Sequence, residues 1–213
     1  MQPDLPDGQT LLRICKSIAM LDAIFSPEWE HRYYSFNSKW APNEQMASMR
    51  TGSGDSYFIL FNPHGVILKG YAHESEYAQW NVDHGQPLTG MFDGVPQEFA
   101  PFLTEPAFSM EDTTFCFWRR PADPQWNAGN VDHPPSSDPG GAHQLLAILR
   151  DDPALYAAWA AEYYDVPVDP AAVKHVYNHD PLNEELVHRL NPNATMEELA
   201  GDFAEIDYPV AGP

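Results

Sequence analysis

Apolar positions along this chain change their spacing twice, and each change marks a different kind of element. Leu11, Ile14, Ile18, Leu21 and Phe25 recur at three- and four-residue steps, with Cys15 and Ala19 beside them. That period predicts a helix from about Thr10 to Phe25, stopped by Ser26-Pro27, with Arg13, Lys16 and Asp22 on its wet face. Short aromatic and β-branched runs follow. His31–Phe36 and Gln45–Arg50 read as strands, separated by Asn37–Asn43. The stretch Asp55–Ser75 is the centre of the pattern. Its runs Tyr57–Phe61 and Val66–Tyr71 flank Asn62-Pro63-His64-Gly65, which supplies a side-chain acceptor, a fixed φ and a glycine. A hairpin with a type I turn and a glycine bulge is expected. Tyr57, Ile59 and Phe61 point one way and Phe58 and Leu60 the other, so this strand should be covered on both faces. Lys69 interrupts one face of its partner and suggests that this face is partly wet. Thr113–Trp118 is a fifth strand, with Phe115 and Phe117 opposed to Cys116 and Trp118. Between them, Ala72–Gly94 reads as polar and irregular, and Pro96–Leu103 as a short helix.

The second change comes after Arg119–Gly141, a stretch with Pro121, Pro124, Pro134, Pro135 and Pro139 and no periodicity. It reads as a linker or long loop. From its end onward stand Asp138-Pro139, Asp152-Pro153, Asp169-Pro170, Asp180-Pro181 and Asn191-Pro192. A capping side chain before proline is a helix start, because the proline lacks an N–H that would be unpaired there anyway. The expected helices are 140–149, 153–164, 170–178, 181–190 and 195–206, the last with a Thr195/Glu198 capping box. The fold class is therefore α+β: an antiparallel meander of about five strands with an N-terminal helix, then an α-helical C-terminal region. The units are 1–118 for the sheet, 119–141 for the linker, and 142–213 for acidic helices that either stand alone or pack on the first unit.

Charge adds what the pattern does not. The chain has 213 residues, 11 Lys and Arg against 31 Asp and Glu, and a net charge of −20. Residues 138–213 alone hold 14 acidic and 3 basic side chains. Such a field repels nucleic acid and anionic membrane and favours cationic partners. Cys15 and Cys116 both sit in apolar contexts, which suits buried free thiols in a reducing compartment. With no leader pattern and no run of membrane-spanning length, a cytoplasmic protein is expected.

Candidate chemistry is thin. The glycine-rich Thr51–Asp55 leads into a strand, not a helix, so it reads as a hairpin loop and not a phosphate cradle. His73-Glu74-Ser75-Glu76, with Asp83 and His84, is the best local cluster of ligand-type side chains. It matches no closed zinc spacing, so no metal or cofactor is assigned. His175 and His179 lie four apart without the glutamate of a metalloprotease helix, and His179 at a helix C-terminus should favour its charged form. Cys116 lacks the cationic setting of a nucleophile. Trp29, Trp40, Trp80 and Trp126 fall at loops or strand ends, where they either close the core or form an interface.

The order helix, meander, Gly52-Ser53-Gly54-Asp55-Ser56-Tyr57-Phe58-Ile59-Leu60, Gly65-Val66-Ile67-Leu68 and Ala72-His73-Glu74-Ser75 resembles the SUKH superfamily over about residues 10–118. Ala72 stands where that superfamily usually has aspartate, and the acidic helices lie outside the resemblance. The chain as a whole also resembles uncharacterised bacterial proteins of its length. The superfamily resemblance implies an immunity protein that neutralises a toxin, or a scaffold. The leading expectation is a non-catalytic protein that binds a basic partner, such as the toxin of an immunity pair. Its candidate binding residues are Trp40, Asp55, His73, Glu74, Glu76, Trp80, Asp83 and His84. Two alternatives stay open: a small hydrolase or metal-dependent enzyme on His73, Glu74, Glu76 and His84, and an acidic DNA mimic.

Overall fold

The computed structural model describes residues 3–132 and 137–212. Pro134 and Pro135 of the expected linker, and Met1 and Gln2, lie outside the described residues. Helix α1 (Gly8–Phe25) opens the fold, with Asp7 as its N-cap accepting from the N–H groups of Gln9 and Thr10. Six strands follow: β1 (Tyr34–Ala41), β2 (Glu44–Arg50), β3 (Ser56–Asn62), β4 (Gly65–Tyr71), β5 (Phe115–Arg119) and β6 (Asn127–Ala128). Every strand pairs antiparallel with its sequence neighbours, in the order β1-β2-β3-β4-β5-β6. The class is α+β, with one strand more than the five expected. The extra strand is two residues long and sits inside the stretch read as linker.

The alternation of the central hairpin divides the core. Tyr57, Ile59, Phe61, Phe115 and Phe117 join α1 and the C-terminal helices in one buried cluster. Phe58, Leu60, Cys116 and Trp118 face a second cluster, closed by Met91, Phe99, Phe102 and Phe108. β3 is thus covered on both sides, as its two apolar faces require. The two cysteines are free and lie in opposite clusters. Burial pushes both thiols up, Cys116 to about 12.

Lys69 is not wet. It is 1% exposed, and its Nζ donates to the carbonyls of Ser109 (3.0 Å) and Asp112 (2.9 Å). Burial lowers its pKa to about 8, against the opposing charges of Asp112 and Glu111. The polar face assigned to α1 is also largely buried. Lys16 and Asp22 are both buried, because the C-terminal helices cover the side of α1 turned away from the sheet.

The segment 72–94 is not irregular throughout. Helix α2 (Glu76–His84) is capped by Ser75, whose Oγ accepts from Ala78 N–H, and by Gly85 at φ 67°. Residues 96–104 form separate 3-10 turns at Gln97–Phe99 and Phe102–Thr104, not one helix. The expected strand at 31–36 begins later, after a 3-10 turn at Trp29–His31.

Beyond residue 141 run α3 (Ala142–Leu145), α4 (Pro153–Tyr164), α5 (Pro170–Tyr177), α6 (Glu184–Leu190) and α7 (Ala200–Ile206). Asp152 and Asp169 cap α4 and α5 as their Asp-Pro pairs require. Asp138, Asp180 and Asn191 are not helix N-caps: Gly141 and Asn183 cap α3 and α6, Asp138 only accepts from His143 N–H in the first turn of α3 (2.9 Å), and Asn191 ends α6 as its C-cap. Thr195 and Glu198 form their reciprocal pair, with Thr195 N–H on Glu198 (3.1 Å) and Glu198 N–H on Thr195 Oγ1 (3.2 Å). The α-helix itself begins only at Ala200. Among the described residues no helix is long and apolar enough to cross a membrane.

Candidate protein interface

The loop end of the sheet gathers aromatic and acidic side chains. α1 stops at Phe25, and the chain turns through Ser26-Pro27 into the Trp29–His31 turn. Arg32 pins this corner. Its guanidinium donates to the carbonyls of Ser26 (2.7 Å) and Pro27 (2.9 Å) and pairs with Asp202 of α7. The fixed corner holds Trp29 outward, 55% exposed, with the Arg50 guanidinium 5.4 Å from its ring centroid. Glu28 and Glu30 flank it. His31 Nδ1 lies 3.0 Å from Glu28 and its Nε2 3.9 Å from Glu30.

Helix α4 supplies the next side chains. Tyr163 is 43% exposed, stacks on Trp159 and meets the edge of Tyr33 at 4.5 Å. Phe25 stacks on Tyr164 at 5.3 Å. Phe25, Glu28, His31, Tyr163 and Tyr164 line an open groove of ≈ 540 Å³. The base of this aromatic group is the buried Asp22. Its carboxylate accepts from the hydroxyls of Tyr164 (2.7 Å) and Tyr156 (3.0 Å) and from the N–H groups of Tyr33 (2.8 Å) and Tyr34 (3.0 Å). Burial raises its pKa to about 6, and the four bonds work against that rise.

The β2–β3 turn continues the surface. Thr51 Oγ1 accepts from the N–H groups of Ser53 and Asp55. Asp55 in turn accepts from His73 N–H (2.9 Å) and faces His73 Nδ1 at 2.7 Å. That hydrogen bond raises the His73 pKa. Glu74, exposed, lies 3.9 Å from His73 Nε2. Three of the eight residues expected from sequence, Asp55, His73 and Glu74, therefore meet here.

The others lie elsewhere. Glu76, Trp80, Asp83 and His84 belong to α2, where Trp80 stacks on His84 at 3.7 Å and Asp83 accepts from Gln79. Trp40 stands at the opposite end of the sheet, on the β1–β2 tip, against Phe108. The set His73, Glu74, Glu76 and His84 does not converge. Among the described residues, only Glu28, Glu30 and His31 bring three ligand-type atoms within 4.8 Å of one another.

His175 and His179 do not share a helical face, because His179 lies beyond α5 at φ 61°. His179 packs edge-on against Tyr208 at 4.5 Å. Burial, then the charges of Lys16 and Arg13, lower its pKa, so the charged form expected at a helix end is disfavoured. Trp126 closes the core, with its Nε1 donating to the Pro6 carbonyl.

Sequence reasoning passed over Glu28, Glu30, His31 and Tyr163. The signal was present as an acid–aromatic–acid triplet, Glu28-Trp29-Glu30, placed directly after a helix stop. No protein-family model, no curated protein and no solved structure matches the chain.

Proposed function

We propose that this chain is a non-catalytic protein-binding protein whose acidic, aromatic end takes a cationic protein, in the manner of an immunity-type inhibitor of a basic toxin. One observation carries the reading. Trp29 and Tyr163 are exposed beside the carboxylates of Glu28 and Glu30, on a chain of net charge −20. Exposed rigid aromatics are the side chains that anchor protein interfaces, and a rim of one charge speeds and selects encounter with the opposite charge. The groove between Phe25, Tyr163 and Tyr164 suits a lysine or arginine side chain, whose cation gains from ring faces and from Glu28 at the rim.

The test uses the full chain as bait at low salt in an extract of its native source. The captured protein is then purified and titrated against the wild type and against a Trp29→Ala, Glu28→Gln, Glu30→Gln variant. A basic partner whose affinity falls with rising salt, and falls at least about tenfold in the variant, is the expected result. Equal affinity for both proteins, or binding indifferent to salt, overturns the proposal.

A further inference from the structure

The other end of the sheet holds a separate opening. The tips of the β1–β2 and β3–β4 hairpins, the first turn of α1 and the end of β5 enclose a cleft of ≈ 1160 Å³. Leu12, Phe61 and Val66 give it an apolar side, and Trp40 forms a wall steadied by Phe108, with ring centroids 5.7 Å apart. β1 is irregular at this point: its register against β2 shifts between Asn37 and Ala41. A bulge re-aims the side chains it carries. Here it carries Ser38, Lys39 and Trp40, all of which line the cleft, and Ser38 Oγ is buried with no hydrogen-bond partner among the described residues.

The local charge runs against that of the molecule. Lys39, Arg119 and Arg120, three of the eleven basic residues, line this one cleft. Arg120 is held by Asp123 at 3.2 Å. The other two have no carboxylate in ion-pair reach among the described residues, and Arg119 donates only to the carbonyls of Asp123 (3.3 Å) and Pro124 (3.5 Å). The acids on the lining are Glu44 and Asp7. Asp7 is committed to the start of α1, accepting from Gln9 N–H, Thr10 N–H and Thr10 Oγ1; the bonds to Thr10 hold its pKa low, and the more distant charge of Arg119 adds to this. Three cations against the two carboxylates of Asp7 and Glu44, in a chain with nearly three acids per base, make this cleft a place that favours negative charge from outside.

The geometry points to this cleft as a binding site for a small aromatic anion, its ring against Trp40 and its carboxylate or phosphate group held by Lys39 and Arg119. The site lies at the other end of β1 from Trp29, and a shallow groove along that strand, lined by both Trp29 and Trp40, runs between the two.

The test follows the indole N–H resonance of Trp40, assigned with Trp40→Phe, while the full chain is titrated with AMP and, separately, with naphthalene-2-carboxylate. A saturable shift at millimolar concentration or below is expected with at least one probe. A response to AMP assigns the phosphate form, and a response to the naphthoate assigns the carboxylate form. Lys39 is exposed, so Lys39→Glu should keep the thermal midpoint while weakening binding about tenfold, the loss of one charge-assisted contact. No saturable shift with either probe, or unchanged affinity in Lys39→Glu, overturns the assignment.

Discussion

Asp22 is the side chain on which most of the C-terminal packing converges. It is fully buried in α1, with no cation in ion-pair reach among the described residues, and it is held by two phenols of α4 and two N–H groups at the start of β1. A buried carboxylate without a counter-ion binds its proton more tightly in the folded state, so its pKa rises, here to about 6. The sign of the linkage follows. The stability this group contributes is full below the unfolded value near pH 4 and is lost as pH rises through 6, a difference of about 3 kcal/mol. Asp22→Asn removes the titration but turns an amide NH₂ toward donors, so the variant should be less stable at every pH. Denaturant melts of both proteins from pH 5 to 7.5 should show the gap between them narrowing as pH rises. A gap that stays constant would mean that Asp22 does not titrate in this range.

At the scale of elements, the β3–β4 hairpin depends on one backbone position. Gly65 has φ 134°, and a Cβ there would lie 2.2 Å from the Arg119 carbonyl and 2.9 Å from Arg120 Cα. Gly52 also has positive φ, at 74°, but a Cβ there meets nothing within 4 Å. Gly65→Ala should therefore cost about 3 kcal/mol or more, because backbone must move, while Gly52→Ala should cost only about 1 kcal/mol for its conformation. Equal melting points for the two variants would contradict the close β4–β5 approach. This hairpin was readable in the sequence, since its turn residues and its two-faced aromatic alternation are local signals. What was not readable is long-range. Nothing near Lys69 announces that carbonyls of Ser109 and Asp112 will take its ammonium, and nothing near Asp22 announces Tyr156 and Tyr164. The Asp-Pro pairs were only partly informative, because a residue held extended before proline suits turns as well as helix starts. Of the candidate site, Asp55, His73 and Glu74 were readable as one group, because the β3–β4 hairpin between them brings its two ends together. The interface was hidden where a turn after α1 meets the end of α4, more than a hundred residues later.

Across the whole molecule, α1 is the shared wall. It contacts β1 on one side and α5, α6 and α7 on the other, and its buried residues join the sheet to Val173, Val176, Tyr177, Leu190, Phe203 and Ile206 in a single cluster. A chain ending at Gly141 would leave the far side of α1 open to water, with Asp22 stripped of both its phenols. It should lack the near-ultraviolet signal of fixed aromatic packing, and the full chain should unfold in one transition seen alike by near- and far-ultraviolet dichroism. A truncated chain with native-like aromatic dichroism would instead establish that the sheet region stands alone. Charge sharpens the same test. Both portions are acidic, 17 acidic and 8 basic residues before position 138 and 14 against 3 after it, so holding them together works against repulsion. Salt screens that repulsion, and the midpoint of the full chain should rise with ionic strength. The same salt should weaken capture of a cationic partner. Opposite responses of stability and binding to one variable would show that the excess of carboxylates is tolerated by the fold and used at the surface.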